Sequence, residues 1–267
     1  MLKQRIITAI ILVAIVMAAL FSPQPIFWRA LISLVVIIGF YEWLKFCEID
    51  QMLPKLISYA AFGLCFYLLQ AGYLAMNFII PAACILWLAL LIFTVTGALD
   101  IIHQTWLKLP IGIIVLSTAG WLVIEFRELQ NGALWILCFF LSVWAADIGA
   151  YFVGKKFGKT KLSPKVSPGK TVEGLLGGLA FVLLIFTPIL YNNFSLKAAS
   201  LLLLTILVTA FISVGGDLFE SKLKRYVGLK DSSQILPGHG GILDRIDSLL
   251  SGAPVFAAGL LLLGYLV

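Results

Sequence analysis

The sequence predicts an all-α, polytopic membrane protein of about nine transmembrane helices, with the N-terminus in the cytoplasm and the C-terminus outside. Three observations predict it. The chain is 61% apolar and only 12% charged, with a mean hydropathy of +1.06, whereas a soluble domain averages roughly a quarter charged. Apolar runs recur at close to the length of about 20 residues that a helix needs to cross the hydrocarbon. The basic residues between those runs fall almost wholly on one side. No polar block is long enough to fold by itself, so 267 residues read as one helical assembly rather than soluble domains.

The expected spans are 6–22, 26–41, 57–76, 78–99, 109–126, 132–153, 172–191, 198–218 and 248–267. The first follows Lys3 and Arg5. No small-residue cleavage site with a polar mature start follows it, so it reads as an anchor and not as a removed signal. Arg29 lies just inside the second span and can snorkel to the interface. Little polar sequence separates spans three and four. Arg127, between Glu125 and Glu128, reads as part of a solvated turn. Cys47, Cys65, Cys84 and Cys138 show no CxxC spacing and read as small apolar packing residues, with no disulfide or zinc role.

Orientation follows from the Lys and Arg distribution. With the N-terminus inside, all 19 of them except Arg29, Arg127 and Lys197 fall on the cytoplasmic side. The polar loops 154–171 and 219–247 are then both cytoplasmic. Residues 1–130 read as a scaffold of transmembrane helices, and 131–267 as a catalytic region that carries both loops. The net charge of +6 has no aqueous basic domain to carry it. That speaks against nucleic acid and for anionic lipid or phosphate substrates.

Chemistry-bearing residues gather in the second region. Asp147 lies near the cytoplasmic end of span six, where an ionisable group is costly unless it faces a partner or a cavity. It reads either as a helix-end acid paired with Lys155 or Lys156, or as part of a site. The loop that follows holds Lys155, Lys156, Lys159, Lys161, Lys165 and Lys170, partly a topology signal and partly a strong positive field. Ser167-Pro168 reads as an N-cap with proline at the first helical position. Lys170 and Thr171 then sit in a first turn whose free N–H groups favour phosphate. Gly169-Lys170-Thr171 is not a P-loop, because Pro164 stands where that pattern needs glycine. Glu173 lies one turn into the helix, placed to stabilise its dipole or to meet lysine or metal. Gly174 and Gly178 form a small-xxx-small pair for helix packing.

The stretch Gly216–Asp247 is the densest polar cluster. If span eight stays helical past the membrane, Asp217, Ser221, Lys224 and Arg225 share one face. If span nine has begun by then, Asp244, Asp247 and Ser248 share another. Carboxylates so placed suit Mg²⁺, which usually bridges to substrate phosphates. Between them, Pro237-Gly238-His239-Gly240-Gly241 brings backbone N–H groups to where phosphate can reach. His239 and Arg245 add donors. A basic cytoplasmic cavity at the interface lets a lipid phosphate meet a soluble nucleotide, and phosphoryl-type transfer needs mainly positioning and charge neutralisation.

The run Ser221–Asp247, SKLKRYVGLKDSSQILPGHGGILDRID, closely resembles the signature of phosphatidate cytidylyltransferases (CDP-diacylglycerol synthases). So does the upstream run Asp147–Gly174, with DIGAY and SPGKTVEG. Together they cover roughly the C-terminal half, and the first half is similar in hydropathy only. The resemblance implies transfer of CMP from CTP to phosphatidic acid, giving CDP-diacylglycerol and pyrophosphate. It implies Mg²⁺, with a second metal ion or a monovalent cation at the same site left open. Asp217, Asp244 and Asp247 would be the metal-binding acids, and Lys224, Arg225, Lys230 and Arg245 would hold phosphates. Ser167, Lys170, Thr171 and Glu173 would line the nucleotide side. Ser221, Asp231, His239, Gly240 and Gly241 complete the expected binding set. The expected setting is a bacterial inner membrane with the site facing the cytoplasm, among membrane lipids and without nucleic acid. A homodimer is among the expected assemblies.

Two rivals stand beside this reading. A CTP-dependent lipid or polyprenol kinase has related loops but attacks the γ rather than the α phosphorus. A transporter for an anionic solute would line several spans with polar residues at midplane depth, and spans one to five carry almost no internal charge.

Overall fold

The computed structural model describes residues 2–97, 102, 105–164 and 166–266. The helices are α1 (Leu2–Leu20), α2 (Pro25–Phe46), α3 (Met52–Gln70), α4 (Met76–Thr96), α5 (Thr105–Glu128), α6 (Gly132–Phe157), α7 (Val172–Asn193), α8 (Leu196–Tyr226) and α9 (Leu243–Leu262). Among the described residues, all 9 are long and apolar enough to cross a membrane. The chain is an integral membrane protein of the expected class. The end of span four at 98–99, Lys165 and Val267 lie outside the described residues.

Several boundaries differ from expectation, each for a local reason. The third helix lies earlier, ending at Gln70, because Ala71-Gly72 stops it. Gly72 takes a left-handed φ of 71°, and Ala71 N–H closes onto Tyr67 O at 2.8 Å, the usual glycine terminus of a helix. α2 continues to Phe46 and keeps Glu42 helical. α8 continues to Tyr226, so its 31 residues extend about 46 Å, well beyond a hydrocarbon core of about 30 Å. Asp217, Ser221, Lys224 and Arg225 therefore do stand on one continuous helix. Leu243 opens α9 ahead of the expected start at 248, which meets the condition for Asp244, Asp247 and Ser248 to be helical.

The expected cap at Ser167-Pro168 is not formed. Residues Ser167–Thr171 form a strand, β2, antiparallel to β1 (Lys161–Ser163), with Lys161 opposite Thr171 and Ser163 opposite Ser167. The cap is Thr171, with extended φ −129° and ψ 155°, its hydroxyl accepting from Gly174 N–H. Both Ser167 and Thr171 are capping residues. Strand pairing, completed by Val172 N–H to Thr160 O at 2.9 Å, selects the later one. Lys170 and Thr171 therefore precede the helix and do not belong to its first turn.

The chain divides into two compact, interleaved units. The first comprises Met1–Ala75, Leu99–Ile136 and Leu223–Asp247. Here α2 packs on α5 through buried Trp28 and Trp43, whose indole N–H groups donate to Val123 O at 3.0 Å and Lys108 O at 2.9 Å. Phe40 of α2 stacks on Phe62 of α3 with centroids 4.5 Å apart. Arg127 is not in a solvated turn. Its guanidinium donates to Leu20 O at 2.8 Å and Ser22 O at 3.1 Å, closing the carbonyl end of α1 where cations are favoured. Arg29 pairs with Glu128 at 3.2 Å.

The second unit comprises Met76–Ala98, Leu137–Lys222 and Ser248–Val267. Small residues set the approach of α6 to α7, as the Gly174/Gly178 pair suggested. A Cβ on Gly178 would lie 2.5 Å from Ala146 O, closer than any side chain can come. Trp87 of α4 meets Phe219 of α8 edge-on at 5.8 Å, and Phe139 of α6 meets Phe256 of α9 at 5.4 Å.

Candidate active site

The polar residues form one cluster in each unit. In the second unit, β2 delivers Lys170 to α8. Its ammonium lies 2.6 Å from Asp217 Oδ2 and 3.5 Å from Val214 O. Ser221, one turn on, donates to Asp217 Oδ1 at 3.1 Å. The helical register of α8 and the strand that replaces the expected helix start together make this contact. Asp147 lies within electrostatic reach of both Lys170 and Asp217. The nearby lysines of α6 turn elsewhere: Lys155 reaches Tyr151 Oη at 3.5 Å, and Lys156 lies over the Phe157 ring. Of the two readings of Asp147, the structure favours membership of the cluster.

Glu173 plays a different part. Its carboxylate accepts from Lys159 N–H at 3.0 Å and from Thr160 N–H at 3.1 Å. It ties the turn after α6 to the start of α7, just past the Thr171 cap. Ser167 lies at the far end of β2.

In the first unit, Lys224 pairs with Asp244 Oδ1, both side chains largely buried. Asp244 Oδ2 accepts from Ser232 N–H at 2.9 Å, Ser232 Oγ at 3.0 Å and Gly241 N–H at 2.8 Å. The glycine segment folds as a tight turn: Leu236 N–H donates to Gly240 O, and His239 N–H to Leu236 O, both at 2.9 Å. Gly238 and Gly240 take φ of 77° and 83°, a region that favours glycine. The His239 Nδ1 atom is covered and has no hydrogen-bond partner among the described residues. Arg225, Lys230, Asp231 and Arg245 are exposed. Arg225 donates to Leu229 O at 3.4 Å. Asp247 is half-buried.

One residue escaped the sequence reading altogether. Glu42, fully buried on α2, accepts hydrogen bonds from Ser232, Ser233, Ile242 N–H and Leu243 N–H. The available signal was a carboxylate inside the apolar run Ile37–Trp43, the same kind of anomaly that singled out Asp147.

The donor chemistry suits a hard cation. Among the described residues no three His, Cys, Asp or Glu side chains gather as a metal cage. The Lys170–Asp217 cluster nevertheless presents only oxygen acceptors around a bound positive charge: a carboxylate, a backbone carbonyl and the nearby Asp147. One or two carboxylates completed by substrate phosphates is the usual Mg²⁺ arrangement. At Asp217 and at Asp244 alike, both carboxylate oxygens are engaged by protein donors.

The model of the Cytidylyltransferase family matches residues 3–263. The chain belongs to that family. Among its curated relatives in the cytidylyltransferase family, the phosphatidate cytidylyltransferase of Pseudomonas aeruginosa is 40% identical, over 97% of this chain and 96% of its own length. Those of Haemophilus influenzae and Bacillus subtilis are 36% and 35% identical. These two alignments cover 96% and 95% of this chain, and 98% and 95% of the relatives. As a cytidylyltransferase, the chain is a nucleotidyl-transferring enzyme, and Lys170, Lys224 and Asp244 of its two lysine–aspartate pairs lie in the two runs that carry the family resemblance, with Asp217 one turn before the second run.

Proposed function

We propose that this chain transfers CMP from CTP to phosphatidate. A phosphate oxygen of the lipid attacks the α phosphorus of CTP. The bond from that phosphorus to the bridging oxygen breaks, pyrophosphate leaves, and CDP-diacylglycerol remains. The observation that carries the reading is the near-full-length likeness to three phosphatidate cytidylyltransferases, in a chain that forms Lys224–Asp244 within one matching run and pairs Lys170 of the other with Asp217.

The side chains supply charge and position. Asp217 holds the Lys170 ammonium, and Asp244 holds that of Lys224, each poised to meet phosphoryl oxygens. Exposed Arg225, Lys230 and Arg245 draw the anionic nucleotide from solution. Asp217, Asp244 and Asp247 are the acids that the resemblance assigns to Mg²⁺, and Asp217 has a second carboxylate, Asp147, within electrostatic reach. Mg²⁺, alone or beside a second cation, supplies neutralisation of developing charge on the phosphates. The Lys and Arg asymmetry supports a cytoplasmic site, and the bacterial relatives support a bacterial inner membrane.

The test uses purified protein, CTP labelled at the α phosphorus and phosphatidic acid, with and without Mg²⁺. Label entering lipid with Mg²⁺ and staying in water without it is the expected result. Unlabelled lipid together with released CDP would instead identify the rival kinase and overturn the proposal.

A further inference from the structure

The motif loop is anchored from a part of the chain that carries none of the motif. Glu42 is 0% exposed and sits within a run of aromatic and aliphatic residues on α2. A carboxylate so placed is costly unless its oxygens are satisfied. Here they are. Oε2 accepts from Ser232 Oγ at 2.9 Å and Leu243 N–H at 2.7 Å. Oε1 accepts from Ile242 N–H at 3.0 Å and from Ser233 Oγ. Two donors on each oxygen match an ionised carboxylate, which only accepts. Two of the four are backbone N–H groups at the start of α9, where a negative charge is favoured.

The link to chemistry is Ser232. Its hydroxyl lies 2.9 Å from Glu42 Oε2 and 3.0 Å from Asp244 Oδ2, so one proton stands between two carboxylates. Its N–H also donates to Asp244, and the other Asp244 oxygen holds Lys224. Glu42, Ser232, Asp244 and Lys224 thus form one unbroken chain of polar contacts. Gly241 is enclosed by it. A Cβ there would lie 2.0 Å from Ser232 Oγ and 2.5 Å from Glu42 Oε1.

We infer that Glu42 is a positioning residue for nucleotidyl transfer. It fixes the segment 232–243 against α2, and through Ser232 it orients Asp244 and the Lys224 ammonium toward phosphate. The inference rests on the CMP-transfer reading, but part of its test does not. Replacing Glu42 by Gln turns one acceptor into a donor facing donors, with almost no change of volume.

The test compares purified full-length wild type, Glu42→Gln, Ser232→Ala, Ser233→Ala and the Glu42→Gln/Ser232→Ala double variant. For Glu42→Gln, kcat is expected to fall at least about tenfold while KM for CTP stays within about threefold, the signature of an interaction realised in the transition state. The double variant should be no slower than the slower single one, because both act along one path. Ser232→Ala should lower kcat more than Ser233→Ala, whose hydroxyl meets Glu42 but makes no contact with Asp244. Near-normal kcat in Glu42→Gln, multiplicative losses in the double variant, or equal losses for the two serines would each overturn the inference. Should Glu42→Gln fail to insert, the serine comparison decides alone. Hydrogen exchange at the amides of Gly241, Ile242 and Leu243, read without nucleotide, is expected to quicken in Glu42→Gln. Unchanged exchange would overturn the positioning role. An inactive wild type with the expected exchange result would overturn the CMP-transfer reading instead.

Discussion

At the scale of single residues, the two lysine–aspartate pairs make different demands. Lys224 and Asp244 have side chains 10% and 6% exposed, while Lys170 and Asp217 are 24% and 31% exposed. Removing one partner of a buried pair strands the other charge and costs about 3–5 kcal/mol, whereas a half-buried pair lies closer to the surface case, worth about 1 kcal/mol or less. Asp244→Asn should therefore lower thermal stability in detergent clearly more than Asp217→Asn. Asp217→Asn should remain folded and lose turnover by about 100-fold or more, the scale of deleting one preorganised charge-stabilising group. Near-normal turnover in folded Asp217→Asn would contradict the role given to Asp217. Cys47 offers a second check. Burial pushes its thiol up to about 12, against a smaller opposing effect of Lys108. The thiolate is the reactive form, so the folded protein should resist maleimide at Cys47 near pH 8 and react only on unfolding.

At the scale of elements, the sequence marked helices well and their connections poorly. Nine apolar runs stood out because membrane spans must satisfy their backbone internally. The helical continuation of α8 was legible as one face bearing Asp217, Ser221, Lys224 and Arg225. The hairpin before α7 was not legible: Ser167 and Thr171 carry the same capping chemistry, and pairing with Lys161–Ser163 decides between them. Thr171→Ala removes the bond to Gly174 N–H and should cost about 1 kcal/mol. It should also lower turnover by loosening β2, which presents Lys170. The same change at Ser167, outside the cap, should leave stability within about 0.5 kcal/mol. Equal losses at the two positions, measured by thermal unfolding, would count against the Thr171 cap. Glu42 was legible only as a carboxylate inside an apolar run, and its role was not. Its partners lie 190 to 201 residues away, and no local pattern announces so distant a contact.

At the scale of the whole molecule, charge asymmetry and the number of spans make one joint prediction. An odd number of crossings with the N-terminus inside puts the C-terminus outside. A reporter that is active only outside the inner membrane should work when fused after Val267 and fail when inserted in the loop at 154–171. The reverse pattern would invert the site's placement. The central claim concerns which phosphorus is attacked, and one measurement addresses it directly. Purified protein is given phosphatidic acid, Mg²⁺ and CTP carrying distinguishable labels at the α and γ phosphorus. The account predicts the α label in lipid and the γ label in pyrophosphate, in equal amounts. The γ label in lipid with the α label left in CDP would contradict it.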